Sequence, residues 1–256
     1  MSRRAVVGRG LRLRWWLGEW GPLAWLGLLL VLCLGMGELE GPFRWIEPDS
    51  REVLYARSSF LALLGQHVLV VGLASLAAVM IGVGGAIAVT RPFGRDFLPL
   101  VSQLASIGQT FPPVAVLALA VPVLGFGTLP IIVALLLYGL LPIVRNTLAG
   151  IQGIDPGVHE AARGMGMTRR QILLQVELPL AAPVILAGVR TSVTVNVATA
   201  AIGATVGASN LGDPIISGIV NGNTAYVLQG AMLIGLLAIT VDSAFERVQR
   251  RLVQRV

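Results

Sequence analysis

The apolar positions of this 256-residue chain fall into long charge-free runs, separated by short segments that carry arginine. The runs are Trp20 to Gly37, Ser58 to Thr90, Phe97 to Val144, Thr191 to Gly212 and Pro214 to Val241. A spanning helix needs roughly 20 apolar residues, so the third run is long enough for two. Gly125-Phe126-Gly127-Thr128-Leu129-Pro130 supplies the break, since glycine and proline at that density mark a tight turn. The pattern predicts six helices, over 20–37, 64–90, 98–124, 129–149, 184–207 and 224–245. Continuous rather than alternating hydrophobicity excludes the strands of a β-barrel. The expected fold class is all-α and polytopic.

Composition agrees. Hydrophobic residues make up 55 % and charged residues 12 %, against about a quarter charged in an ordinary soluble domain. With a mean hydropathy of +0.80, a disordered chain, a coiled coil and almost any soluble protein are ruled out. Cys33 is the single cysteine, so no intrachain disulfide can form, and no Cys/His cluster offers a metal site. Cys33 reads as a small packed or lipid-facing residue.

Every basic residue is arginine. The arginines lie between the apolar runs rather than in one patch, which points to topology and not to nucleic acid. With the N-terminus placed inside, fifteen arginines fall on the inner side: 3, 4, 9, 12, 14, 91, 95, 145, 163, 169, 170, 247, 250, 251 and 255. Only Arg44, Arg51 and Arg57 fall outside, beside Glu38, Glu40, Glu47, Asp49 and Glu52. Arg190 lies near the inner start of the fifth helix. The bias predicts both termini in the cytoplasm. The expected organisation is a basic N-terminus (1–19), a first helix (20–37), an external acidic segment (38–60), a transmembrane domain (61–245) with a cytoplasmic loop at 150–183, and a basic tail (246–256). A basic stretch followed by an apolar run also describes a signal peptide. The length of the run and the lack of an A-x-A site favour an uncleaved signal anchor. The acidic segment is long enough for a surface helix but not for a binding domain.

The spans are poor in ionisable groups. Proton- or sodium-coupled carriers need such groups at membrane depth, yet helices three and four carry none. His67, in helix two, reads as interfacial or packed, and Asp242 and Glu246 as carboxylates at the inner edge. A secondary transporter is therefore disfavoured, and a structural assembly factor is a further alternative. No G-x-S-x-G, H-E-x-x-H or P-loop motif appears, so no enzyme is expected. His159 beside Glu160 reads as solvated surface. Pro112, Pro113, Pro122 and Pro142 each remove a backbone donor within an apolar run, tolerated where protein or a water-filled path satisfies the freed carbonyls. Gln109, Thr110 and Pro112, with Thr194, Asn196 and Thr199 in helix five, are candidates to line a translocation path. The alternative is ordinary interhelical hydrogen bonding.

The loop between helices four and five carries the most signal. Asp155-Pro156 reads as an N-cap followed by proline at the first helical position. Gly164 and Gly166 end that helix by adopting positive φ. Thr168 to Gln171 forms a T-x-x-Q capping box, and the second helix runs from Arg169 to about Leu178, ended or kinked by Pro179. Two short helices about a glycine corner read as a docking surface.

Glu160-Ala161-Ala162, Gly166 after three residues, and Val176-Glu177-Leu178-Pro179 after nine more resemble the E-A-A-x3-G-x9-I-x-L-P loop of ABC importer permeases, with Val176 for Ile. Gln109-Thr110-Phe111-Pro112-Pro113, Leu124-Gly125-Phe126-Gly127, Leu141 to Thr147, Gly164-Met165-Gly166-Met167 and Ala201-Ile202-Gly203-Ala204 are similar to the glycine betaine/carnitine/choline branch of these permeases. The chain departs from that branch at Gly207 to Gly212, where the branch has more glycine. The resemblance implies a type I ABC importer permease fold in a bacterial cytoplasmic membrane. It further implies that Glu160, Ala161, Ala162, Gly164, Met165, Gly166, Val176, Leu178 and Pro179 couple the chain to an ATP-binding subunit. The implied partners are that ATPase, which holds the ATP, an extracytoplasmic substrate-binding protein, and a second permease copy or a homologous one. No cofactor or metal is expected on this chain. The substrate would be a quaternary ammonium osmoprotectant (glycine betaine, choline or carnitine). The alternatives are another small substrate, such as an amino acid, or a secondary transporter. The aromatics Phe111, Phe126, Tyr138 and Tyr226 are too scattered for a cation cage, so selectivity is assigned to the binding protein.

Overall fold

The computed structural model describes residues 4–253; Arg3 and Arg255, both counted in the arginine bias, lie outside them. The elements are α1 (Arg4–Gly35), α2 (Glu40–Ile46), α3 (Phe60–Thr90), α4 (Leu98–Thr110), α5 (Pro113–Leu124), α6 (Thr128–Gln152), α7 (Pro156–Gly164), α8 (Arg169–Ile172), α9 (Leu178–Thr199), α10 (Asp213–Asn221) and α11 (Thr224–Val253). Among the described residues, five helical stretches are long and apolar enough to cross a membrane: Trp20–Ile46, Phe60–Thr90, Thr128–Gln152, Arg169–Val206 and Thr224–Val253. A sixth candidate is a bent pair, Arg95–Thr110 with Pro113–Leu124.

That bent pair corrects the expectation of one helix over 98–124. The two halves meet at 97°. The cause is Pro112-Pro113. Proline disfavours helical backbone in the residue before it, and Phe111 and Pro112 are both extended, with ψ of 138° and 140°. The 125–130 break falls where expected, with Gly125 and Gly127 at positive φ between α5 and α6.

Pro179 does not end the second loop helix. A π-helical turn, Leu173–Glu177, carries α8 straight into α9. Pro179 has no N–H for the carbonyl of Gln175, and a widened turn is a common way to absorb such a defect. The fifth span therefore starts well before residue 184, and it finishes in a 3₁₀ segment, Ala200–Val206. The segment after it, between the expected fifth and sixth helices, contains α10. Asp213 and Pro214 open that helix in its first turn, and Gly222 closes it at φ 67°.

Helices α3, α6 and α9 pack on one another at the centre, with α4 and α5 against α6, and α11 against α9, α10 and α1. The backbones approach closely. A methyl group on Gly188 of α9 would lie 2.7 Å from the carbonyl oxygen of Pro142 and 2.6 Å from Cβ of Asn146, both in α6. Glycine keeps that crossing tight. Between α9 and α3, His67 is buried and its Nε2 meets the carbonyl of Val197 at 2.9 Å. The acidic segment includes the short helix α2 and then docks on the start of α11. There Gln229 accepts from the Tyr55 N–H at 3.0 Å and donates to the Val53 carbonyl at 2.6 Å. Cys33 is buried where α1 joins the main core, alongside Leu29 and Met36.

Candidate functional site

The loop between α6 and α9 is built as its local chemistry dictates. The Asp155 carboxylate accepts from the Gly157 N–H at 2.6 Å, with Pro156 in the first turn. The helix ends in two nested bonds, Met167 N–H to Ala162 O at 3.2 Å and Gly166 N–H to Arg163 O at 2.9 Å. This is a Schellman closure, which needs a left-handed residue at the penultimate position, and Gly166 sits at φ 77°. Gly164, expected to share that role, is simply the last helical residue and does not have positive φ. The Thr168–Gln171 capping box is present in both directions.

The candidate coupling residues separate by exposure. Glu160, Ala161, Gly164 and Gly166 are exposed, and Met165 projects from the corner with 74 % of its surface free. Ala162 is only 2 % exposed. It packs inside its own chain, whereas Ala161 is open. Val176 and Leu178 are partly buried and Pro179 is exposed, at the root of α9.

A buried carboxylate ties this loop to the rest of the molecule. Glu177, 5 % exposed, lies at the end of the π turn. It accepts from the guanidinium of Arg91, just beyond α3, at 2.5 Å. Its other oxygen meets Nε2 of His159, on α7, at 3.2 Å. His159 is thus held in place rather than being solvated surface. Sequence reasoning passed over Glu177 as the variable residue of the loop pattern, and no local signal pairs it with an arginine 86 positions away. Beside this pair opens a cleft of about 1050 Å³, lined among others by Arg91, Arg95, Glu160, Arg163, Arg169 and Glu177. Arg190 of α9 grips Asp242 of α11 with two bonds of 2.6 Å. Glu246 pairs with Arg250.

The candidate path residues form two sets that share no hydrogen bond among the described residues. Gln109 donates to the carbonyl of Tyr138 at 2.9 Å. That carbonyl is free because Pro142, four residues on, has no N–H. Thr110 bonds back to the Ile107 carbonyl at 2.8 Å, Pro112 is exposed at the break, and the Tyr138 hydroxyl reaches the Phe111 carbonyl. Asn196 is fully buried in α9 and donates to Ser75 of α3 at 3.3 Å. Thr199 bonds back to the Val195 carbonyl at 2.9 Å. Sequence reasoning did not single out a groove on α4 of about 400 Å³, lined by Ser102, Gln103, Ser106, Ile107 and Thr110. Its signal was a hydroxyl at every fourth position, which puts all three on one helix face. Of the scattered aromatics, Tyr226 packs edge-on against Tyr55 at 5.6 Å, and both are buried. Phe126 stands exposed at the α5–α6 turn.

Apolar helices long enough to span, one of them broken, with a structured loop between two spans are the architecture of a polytopic membrane protein. The chain belongs to the family of binding-protein-dependent transport system inner membrane components, matched over residues 81–255. It is the membrane-spanning subunit of an ABC importer, not an enzyme. It is similar to the osmoprotectant import permease protein OsmY of Salmonella typhimurium, 42 % identical over 202 residues, which is 78 % of this chain and 86 % of that protein. It is also similar to the carnitine transport permease protein OpuCB of Listeria monocytogenes, 40 % identical over 182 residues, 70 % of this chain and 83 % of that one. In fold it matches a chain of the inward-facing MetNI methionine ABC transporter. That TM-score is 0.66 at 24 % identity, covering 75 % of this chain and 95 % of the other.

Proposed function

We propose that this permease imports a quaternary ammonium osmoprotectant such as glycine betaine, choline or carnitine. The carrying observation is identity of 42 % and 40 % to permeases named for osmoprotectant and carnitine import, over most of both chains. An extracytoplasmic binding protein selects the solute and delivers it. The Tyr55–Tyr226 packing supports that division of labour, because it leaves those rings closed to a ligand. Two permease copies, or this chain with a homologue, enclose the path, and Gln109, Thr110 and Pro112 at the break in the third span line it. Both termini and the α7 corner face the cytoplasm, where Glu160, Ala161, Met165 and Gly166 meet an ATPase that binds the ATP. The arginine bias supports that orientation.

The test is uptake by vesicles that hold the permease with its genomically adjacent ATPase and binding protein. Labelled glycine betaine, choline or carnitine should accumulate only with ATP inside. If the binding protein took up an amino acid or a sugar and no quaternary amine, the substrate assignment would fall. A reporter fused after Phe245 that was active only outside the membrane would overturn the topology.

A further inference from the structure

We infer that Glu177 is the positioning residue that makes the coupling helix, the end of α3 and the root of α9 move as one body. This rests on the reading of α7 as the ATPase contact. Three elements meet at one carboxylate. His159 on α7 and Arg91 beyond α3 are bound through its two oxygens, and Glu177 itself belongs to the π turn from which α9 continues. Arg91 is steadied in turn by the hydroxyl of Thr90, with bonds of 3.0 and 3.2 Å.

A carboxylate at 5 % exposure is not the cheapest way to fill this space. Buried ion pairs are often no more stabilising than apolar residues of the same volume, whereas removing one partner strands the other. The location supplies a reason for the charge. A π turn with a proline two residues on is the softest point between the loop and the fifth span. An ATPase pushing on α7 would spend its displacement bending that turn. With Glu177 bridging to α7 and to Arg91, the soft turn is spanned, and displacement of α7 reaches α3 and α9 together. Those two helices pack directly on each other and on α6, so the centre of the bundle receives the motion from both.

The test uses the permease assembled with its ATPase in lipid nanodiscs. Cys33 is replaced by Ala, and nitroxide labels are placed on cysteines substituted for Phe93, exposed beyond α3, and Val158, on the outer side of α7. Distances are read by pulsed electron resonance before and after trapping with ATP and vanadate. The pinned body gives one narrow Phe93–Val158 distance that trapping does not change. In Glu177→Gln, nearly isosteric but uncharged, the ATPase still co-purifies and trapping shifts or broadens that distance. Solute carried per ATP hydrolysed falls about tenfold. Arg91→Gln has the same effect, and the double variant is no worse than either single one, because the pair acts as a unit. The inference is overturned if the wild-type distance changes on trapping, if Glu177→Gln stays as narrow as wild type, if it releases the ATPase, or if the two substitutions add. The distances respond to ATP alone. Failure to import a quaternary amine would therefore sink the substrate assignment and leave this inference to be judged separately.

Discussion

Met165 offers the sharpest test of how this permease meets its ATPase. It stands at the corner after α7 with 74 % of its surface free, in a loop held by an N-cap, a Schellman closure and a capping box. Burying a methionine side chain completely is worth about 1.5–3 kcal/mol. Three-quarters of that surface remains to be buried on docking, so the side chain can contribute roughly 1–2 kcal/mol to the contact. Met165→Ala should weaken association with the ATPase about 5- to 30-fold. The loop itself should be undisturbed, because the nested bonds at the corner are made by backbone and Gly166 keeps its conformation. The assay is titration of labelled ATPase onto the permease in nanodiscs, with membrane insertion checked independently. Ile239→Ala, which removes an exposed apolar side chain within the last span, is the comparison and should leave the affinity unchanged. If Met165→Ala bound the ATPase as tightly as wild type, the corner would not be the docking tip. The coupling role of Glu160 to Gly166 would then have to be reassigned.

Two other outcomes follow from packing and charge. Gly188→Ala should lower the melting temperature of the purified permease: the new methyl meets the Pro142 carbonyl at 2.7 Å, and overpacking of about 1–3 kcal/mol exceeds the roughly 0.5–1 kcal/mol of helix propensity that alanine gains over glycine. Asp213, at the start of α10, has its carboxyl pushed above the usual value by burial, against the lowering effect of the Asn210 N–H and of Ser209. A raised folded pKa favours the native state while the group is protonated, and that contribution fades as pH rises through the folded pKa. Asp213→Asn should therefore raise thermal stability at pH 7 and lose that advantage at pH 3, as melting curves at the two pH values will show.

What the sequence disclosed depended on the range of the interaction. Caps and corners are settled within four or five residues. Asp155-Pro156, Gly166 and Thr168–Gln171 were readable before any coordinate, as were the runs long enough to span a bilayer. Pro112-Pro113 marks a defect in the third span, yet the size of the bend depends on Phe111 and Pro112 both being extended. Asp213-Pro214 carries the same start signal as Asp155-Pro156, but it falls between two apolar runs, where no helix was expected. Partners distant in sequence were out of reach altogether. Glu177 looks like the one free position of the loop pattern, and only the fold brings Arg91 and His159 to it. The split between Ala161 and Ala162 is of the same kind, since two neighbouring alanines on a short helix differ only in which side the chain folds against.

The placement of charge fits a machine driven from one end. Arg91, His159 and Glu177 meet where α3 ends, the α7 loop packs and α9 begins, and Glu246 pairs with Arg250 in the last turns of α11. Apart from the Arg190–Asp242 pair between α9 and α11, the helix interiors carry mostly hydroxyls and amides, several of them turned back onto their own backbone, as at Thr110 and Thr199. An ionised pair at membrane depth would need a strong local reason to exist, such as carrying a coupling ion. A permease powered by an attached ATPase has no such need. It needs stiff connections where force enters and neutral, closely packed helices that can slide. The Gly188 crossing is such a close packing, and Glu177, on the inference drawn above, is the stiff connection. Asp242 of α11 is gripped by Arg190 of α9, so the fifth and sixth spans also meet through a charge pair.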